Sequence, residues 1–123
     1  MSNPTVIAVV VAWNRAQLLR ETLDGLASQT RPLDGVVVVD NASSDETPQL
    51  IASHPVVTNV VTLPQNYGGA GGFAAGIARA MTLGADLVWI MDDDTIPTPT
   101  ALEVLLRTRE EYPGVPAVLA CRA

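Results

Sequence analysis

Short apolar runs rich in valine alternate along this chain with segments whose leucines recur at helical spacing. Val6 to Ala12 is one such run, too short for a buried helix, and it predicts a strand covered on both faces. Leu19, Leu23 and Leu26 then fall at i, i+4 and i+7 on one face of a helix that Asn14 can cap and that Gly25 weakens near its end. Arg31-Pro32 closes the connection. Val36 to Val39 predicts a second strand, stopped by the polar stretch Asp40-Asn41-Ala42-Ser43-Ser44-Asp45. A short helix follows over Glu46 to Ser53, where Pro48 is tolerated because it lies in the first turn. Val56 to Leu63 predicts a third strand, and Gly68 to Gly72 open a third helix with Phe73, Ile77, Ala80 and Met81 on a shared face. Leu87 to Met91 predicts a fourth strand, running directly into Asp92-Asp93-Asp94. Thr98 and Pro99 read as cap and first residue of a fourth helix lined by Leu102, Leu105 and Leu106, and Pro116 to Cys121 as the start of a fifth strand.

Apolar strands alternating with amphipathic helices imply an α/β domain over residues 1–123, with a mostly parallel sheet and helices on both faces. Ligands of such sheets sit beyond the carboxyl ends of the strands, where the strand order reverses. If the order is 3-2-1-4, then Ala12, Trp13 and Asn14 at the end of strand one lie beside Asp92 to Asp94, with Asp40 next along the rim. Composition narrows the partners. Of 123 residues 48% are apolar and 16% charged, which predicts a buried core rather than a disordered acidic chain. Seven arginines and no lysine face thirteen acidic residues, for a net charge of −6, so the basic face that nucleic acid requires is missing. Cys121 has no cysteine to pair with, no apolar run reaches the ~18 residues of a membrane span, and the start lacks a basic leader. These features predict a soluble, cytoplasmic domain.

Three clusters carry candidate chemistry. Adjacent carboxylates at Asp92, Asp93 and Asp94 repel one another, and two of them with phosphate oxygens and water form the ligand set that Mg²⁺ or Mn²⁺ accepts. The bland reading is a solvated acidic turn before a helix. Gln65-Asn66-Tyr67-Gly68-Gly69-Ala70-Gly71-Gly72-Phe73 joins strand three to helix three, and glycines there let backbone approach a ligand and leave helix amides free for anions. Equally, Gly72 and Gly76 serve close packing of helix on sheet. The stretch also fits a loose G-x-G-x-x-A pattern, but that dinucleotide signature belongs after the first strand, and a P-loop needs a lysine. Asp40, at a strand end, can accept from the N3–H of a uracil ring, or it can bond its own turn, as Asp45 and the serines are expected to do. His54 has no second histidine or paired cysteine for a metal, Trp89 belongs to the core, and Trp13 sits at the rim, where it can pack on a base or not.

With these residues in place the chain resembles the nucleotide-binding half of family 2 glycosyltransferases, which have the GT-A fold. The matching segments are Val9-Val10-Val11-Ala12-Trp13-Asn14-Arg15, Val38 to Thr47, Gln65 to Phe73 and Met91 to Pro97, in this order and at these spacings. Glycine run and triple aspartate together look most like the galactofuranosyltransferase branch, with rhamnosyltransferases close by. The resemblance implies a UDP-sugar or dTDP-sugar donor, an inverting transfer to a saccharide or lipid-linked saccharide, and a place in bacterial cell-wall or polysaccharide synthesis, in the cytoplasm or at the membrane's inner face. It assigns Ala12, Trp13, Asn14, Arg15, Asp40, Asn66, Asp92 and Asp93 to the nucleotide. Asn66, Gly68, Gly69, Gly71 and Gly72 go to the donor sugar and diphosphate, and Asp92 and Asp94 to a Mn²⁺ or Mg²⁺ ion. Ala12-Trp13 departs from the Thr-Tyr or Thr-Phe many members carry. The family's catalytic base is expected beyond Ala123, so the chain reads as an N-terminal fragment, and self-association through an open sheet edge is expected. The competing readings are a haloacid-dehalogenase-like phosphatase using Asp92 and Asp94, a sugar-phosphate nucleotidyltransferase, and a non-catalytic nucleotide-sugar-binding module.

Overall fold

Burial is complete along the first two strands. β1 (Val6–Ala12) and β2 (Gly35–Asp40) have no exposed position, the signature of strands covered by helices on both faces. In the computed structural model, which describes residues 3–114, they are followed by β3 (Asn59–Thr62) and β4 (Leu87–Asp92) in one parallel sheet of order β3-β2-β1-β4. Between them run α1 (Ala16–Ala27), α2 (Thr47–Ser53) and α3 (Gly68–Thr82), and α4 (Ala101–Glu111) follows. The predicted α/β architecture is the observed one. The expected fifth strand over Pro116–Cys121 lies outside the described residues, among which no helix is long and apolar enough to cross a membrane.

Side chains alternate across the sheet with period two and build two cores. Ala8, Val10, Ala12, Val36 and Val38 face α1 and α2, meeting Leu19, Leu23, Leu26, Leu50 and Ile51. On the other face, Ile7, Val9, Val11, Val37 and Val39 meet Ala80 and the partly buried Phe73 of α3. Each fully buried leucine or valine contributes about 1.5–3 kcal/mol relative to exposure. α3 lies low on its face of the sheet because of two glycines. A Cβ at Gly72 would stand 2.6 Å from Val11 Cγ1, and one at Gly76 would run into Val9 and Val39.

Four local expectations are corrected. β3 begins at Asn59, not Val56, because Val56 and Val57 pack as partly buried loop side chains against the α1–α2 core. Asn14 does not cap α1. Its backbone is left-handed (φ 49°), and its Oδ1 accepts from the Ser44 and Asp45 N–H groups, while Asp45 Oδ2 accepts from the Ala16 N–H in the first turn. α4 starts at Ala101 instead of Pro99, and the Leu102 N–H donates to Oε1 of the buried Gln29, which follows α1. Met81, expected on the buried face of α3, is exposed, because Gly76 and Ala80 form the stripe that meets the sheet.

Candidate functional site

β1 lies between β2 and β4, and the chain leaves the sheet in opposite directions on either side of it, which opens a crevice at the strands' carboxyl ends. The cleft found there is lined by Val11, Trp13, Arg15, Asn41, Asn66, Gly68, Gly69, Asp92 and Asp93. Strand ends and a helix start therefore bring together seven of the residues singled out from the sequence.

The acidic wall is built by alternation. Asp92 and Asp94 are exposed while Asp93 turns inward. Asp93 Oδ2 accepts from the Trp13 N–H at 3.0 Å, and its backbone carbonyl accepts from the buried Thr22 hydroxyl at 3.0 Å. Burial pushes the Asp93 carboxyl above the ordinary aspartate value. The Trp13 N–H and the Arg15 guanidinium oppose this, and the charges of Asp94 and Asp92 add to it. Arg15 reaches across to Asp94 at 3.1 Å and to Asp93 at 3.6 Å. The Asp92 carboxylate makes no hydrogen bond or ion pair among the described residues. No three carboxylate, imidazole or thiol groups among them converge as a metal cage. An exposed carboxylate at Asp92 and a second at Asp94 nonetheless fit Mg²⁺ or Mn²⁺, which take one or two protein carboxylates and complete their shell with water and phosphate oxygens.

The opposite wall is backbone. Gly68 has φ +76°, a left-handed conformation that glycine adopts without steric cost, and its N–H donates to Asn66 Oδ1 at 2.7 Å. A Cβ on Gly68 or Gly69 would meet no atom within 4 Å, so this stretch presents open main chain to the cleft. Asn41 joins the wall to the sheet. It is 3% exposed, its Oδ1 accepts from the Tyr67 N–H at 2.9 Å, and its Nδ2 donates to the Gly68 carbonyl at 3.0 Å.

Other assigned residues lie elsewhere. Asp40 is buried below the cleft and accepts from the Ser43 N–H with Oδ1 at 3.0 Å, closing a turn in which Ala42 is left-handed (φ 64°). Ala12 is fully buried, and its carbonyl accepts from the Asn41 N–H. Asn14 is engaged by the Ser44–Asp45 turn, and Asp94 stands at the rim beside Arg15. Gly71 and Gly72 do not line the cleft. A Cβ on Gly71 would fall 2.6 Å from Tyr67 Cβ, and Gly72 faces Val11. His54 bonds Asp24 at 2.8 Å, tying the end of α2 to α1. Asn41 is the residue that sequence reasoning missed, because an Asn following a strand-end Asp reads as turn chemistry; the signal available was its adjacency to Asp40.

The parallel sheet of order β3-β2-β1-β4 is shared with solved glycosyltransferases of the GT-A fold. The chain belongs to glycosyl transferase family 2, whose family model matches residues 7–121. It is 42% identical over 97 residues to galactofuranosyltransferase GlfT1 of Mycolicibacterium smegmatis, covering 79% of this chain and 32% of that protein. Among solved structures, the mannosyltransferase PcManGT of Pyrobaculum calidifontis in complex with GDP-Man and Mn²⁺ aligns with a TM-score of 0.65 and 32% identity, over 75% of this chain and 28% of that one. S. aureus TarS 1–349 in complex with UDP-GlcNAc aligns with a TM-score of 0.76 and 25% identity, over 87% and 31%. The chain spans about a third of the length of the curated relatives it matches.

Proposed function

We propose that this chain is the donor-binding part of an inverting glycosyltransferase that takes galactofuranose from UDP-galactofuranose and passes it to a glycan or lipid-linked glycan. The observation that carries this reading is the cleft itself, where the unengaged Asp92 carboxylate faces the open backbone of Gly68 and Gly69 across the strand-order reversal. The 42% identity to a galactofuranosyltransferase supports the choice of sugar, and the UDP-GlcNAc complex of a neighbour supports the choice of nucleotide.

Each wall then has a task. Asp92 and Asp94 hold Mn²⁺ or Mg²⁺, and the ion, when bound, offsets the negative charge of the diphosphate. Gly68 and Gly69 let main chain approach the diphosphate and sugar, with Asn66 beside them. The half-exposed Trp13 indole packs along the base. Asp40 shapes the floor through its turn and offers its second oxygen to the uracil N3–H. Arg15, paired with Asp94 at 3.1 Å and lining the cleft, supplies positive charge for the departing phosphate. The acceptor oxygen bonds to the anomeric carbon as the bond to the UDP oxygen breaks, in one step with inversion, and the hydroxyl proton passes to a general base that is not among the residues assigned here.

Calorimetric titration with UDP and with dTDP, each with Mn²⁺ and with excess chelator, tests this reading. UDP should bind at least ten times more tightly with Mn²⁺. Equal affinity in chelator would remove the cation from the proposal, and no UDP binding in either condition would remove the donor site.

A further inference from the structure

The wall that carries the glycines is poorly anchored. Residues 64–70 are all exposed, and their tethers to the body of the protein are few. At one end the Leu63 N–H donates to the Asp40 carbonyl at 2.9 Å, and at the other Gly72 rests on Val11. Between them Tyr67 makes no side-chain cap, and Asn66 Oδ1 takes the Gly68 N–H in a bond that stays within the exposed segment itself. The link in the middle is Asn41, which is buried and rooted in the sheet through its N–H bond to Ala12. Its carboxamide grips two successive peptide groups with opposite polarity, taking the N–H of Tyr67 and giving to the C=O of Gly68. Of the common side chains of this size only a carboxamide does both. Aspartate keeps the acceptor but sets a negative oxygen against the Gly68 carbonyl, and leucine keeps the volume but gives up both bonds and with them the tether.

We infer that Asn41 is a positioning residue, a latch that holds the Tyr67–Gly68 junction against the end of β2 and so fixes the glycine wall at the spacing the diphosphate and sugar of the donor require. It touches neither the base nor the acidic wall through these bonds, so its influence falls on the sugar-diphosphate end of the ligand. The inference rests on the donor-site reading for its functional half, whereas the latch itself is a property of the free protein.

The test uses the full chain with Asn41→Asp and Asn41→Leu. Hydrogen exchange without ligand should show the Tyr67 amide opening at least tenfold faster in Asn41→Leu, with less change in Asn41→Asp, which keeps that acceptor. The amides of Val37 to Val39 should stay protected in both, which also verifies that the variants fold. In titrations with Mn²⁺, both variants should lose at least tenfold in affinity for UDP-galactofuranose while their affinity for uridine stays within twofold of the parent. Unchanged Tyr67 exchange in Asn41→Leu would overturn the latch. Faster exchange with an equal loss for uridine and UDP-galactofuranose would overturn its selective role at the diphosphate and sugar. If the parent chain binds no nucleotide at all, the donor-site reading fails, and with it the functional half, while the exchange result alone decides the latch.

Discussion

Four of the five glycines of α3 fall into two pairs that a reader of the sequence sees as one run. Gly72 and Gly76 are buried, and a methyl group on either would collide with Val11, Val9 or Val39. Gly68 and Gly69 stand one turn earlier, and a methyl group there would meet empty space. The first pair lets helix and sheet touch, and the second leaves main chain open at the cleft. Close packing and open main chain, weighed as rivals at the level of sequence, thus both occur, a few residues apart. The same division splits the acidic triplet, where Asp93 is built into the fold by Trp13 and Thr22 while Asp92 faces outward.

The largest expected effect tests the buried pair. Gly76→Ala should lower stability by about 1–3 kcal/mol through overpacking, a drop in Tm of roughly 5–15 °C for a chain of this size. Thermal unfolding that matches the parent would break the packing half of the comparison. Next comes the acidic wall. Asp92→Asn should cost at least ~1.4 kcal/mol, or tenfold, of the Mn²⁺-dependent UDP affinity. Asp93→Asn, which keeps an acceptor for Trp13, should retain most of it, and titration calorimetry separates the two.

Gly69→Ala sharpens the contrast within α3. Alanine is better than glycine inside a helix by about 0.5–1 kcal/mol, so Tm should hold or rise, while UDP-sugar affinity falls by roughly three- to tenfold, under ~1.4 kcal/mol. A gain in stability with unchanged binding would show that the open face is not used. The smallest effect concerns pH. Burial raises the folded-state pKa of Asp93, so between the ordinary aspartate value and the raised one the folded chain keeps a proton that the unfolded chain has released. Its contribution to stability therefore declines as pH rises through that window. Asp34 and Asp45 behave oppositely. Their carboxyls are lowered, chiefly by the Val6 N–H and by Thr47 respectively, so what they contribute is present above the ordinary range and lost on acidification. Urea unfolding from pH 3 to pH 7 should show the parent losing stability relative to Asp93→Asn as pH rises, and a constant difference would contradict the assignment.

Much of the fold was legible because parallel strands buried on both faces need unbroken apolar runs, and Val6–Ala12 and Val36–Val39 are such runs. The end of β4 was legible for the same reason, since five apolar residues stop at Asp92. What misled was chemistry with more than one outlet. Valines at 56 and 57 read as strand but fill the side of the α1–α2 core from a loop. Asn14 has the side chain of a cap, yet an asparagine also tolerates a left-handed backbone, and here that wins and turns its carboxamide to the 44–45 turn. Asp40 likewise has two outlets, since its Oδ1 is held by the turn at Ser43 while its second oxygen makes no hydrogen bond among the described residues. Asn41 could not be found by spacing at all, because its partners lie on a connection that only the folded sheet brings alongside.

The position of β1 at the centre of the sheet also has a consequence in time. Val6 to Val11 pair on one side with residues that follow soon after, and on the other with Leu87 to Asp92, near the far end of the described chain. At ribosomal speeds of ~5–20 residues per second, the roughly fifty residues between Asp40 and Asp92 take ~3–10 s to appear. Through that interval a nascent chain that has already joined β1 to β2 carries a bare valine edge, open to pairing with another chain. The acidic wall of the cleft is likewise absent until Asp92 and Asp93 are made. The Trp13 N–H, made with the end of the first strand, meets its Asp93 acceptor only once the chain has grown by a further 80 residues.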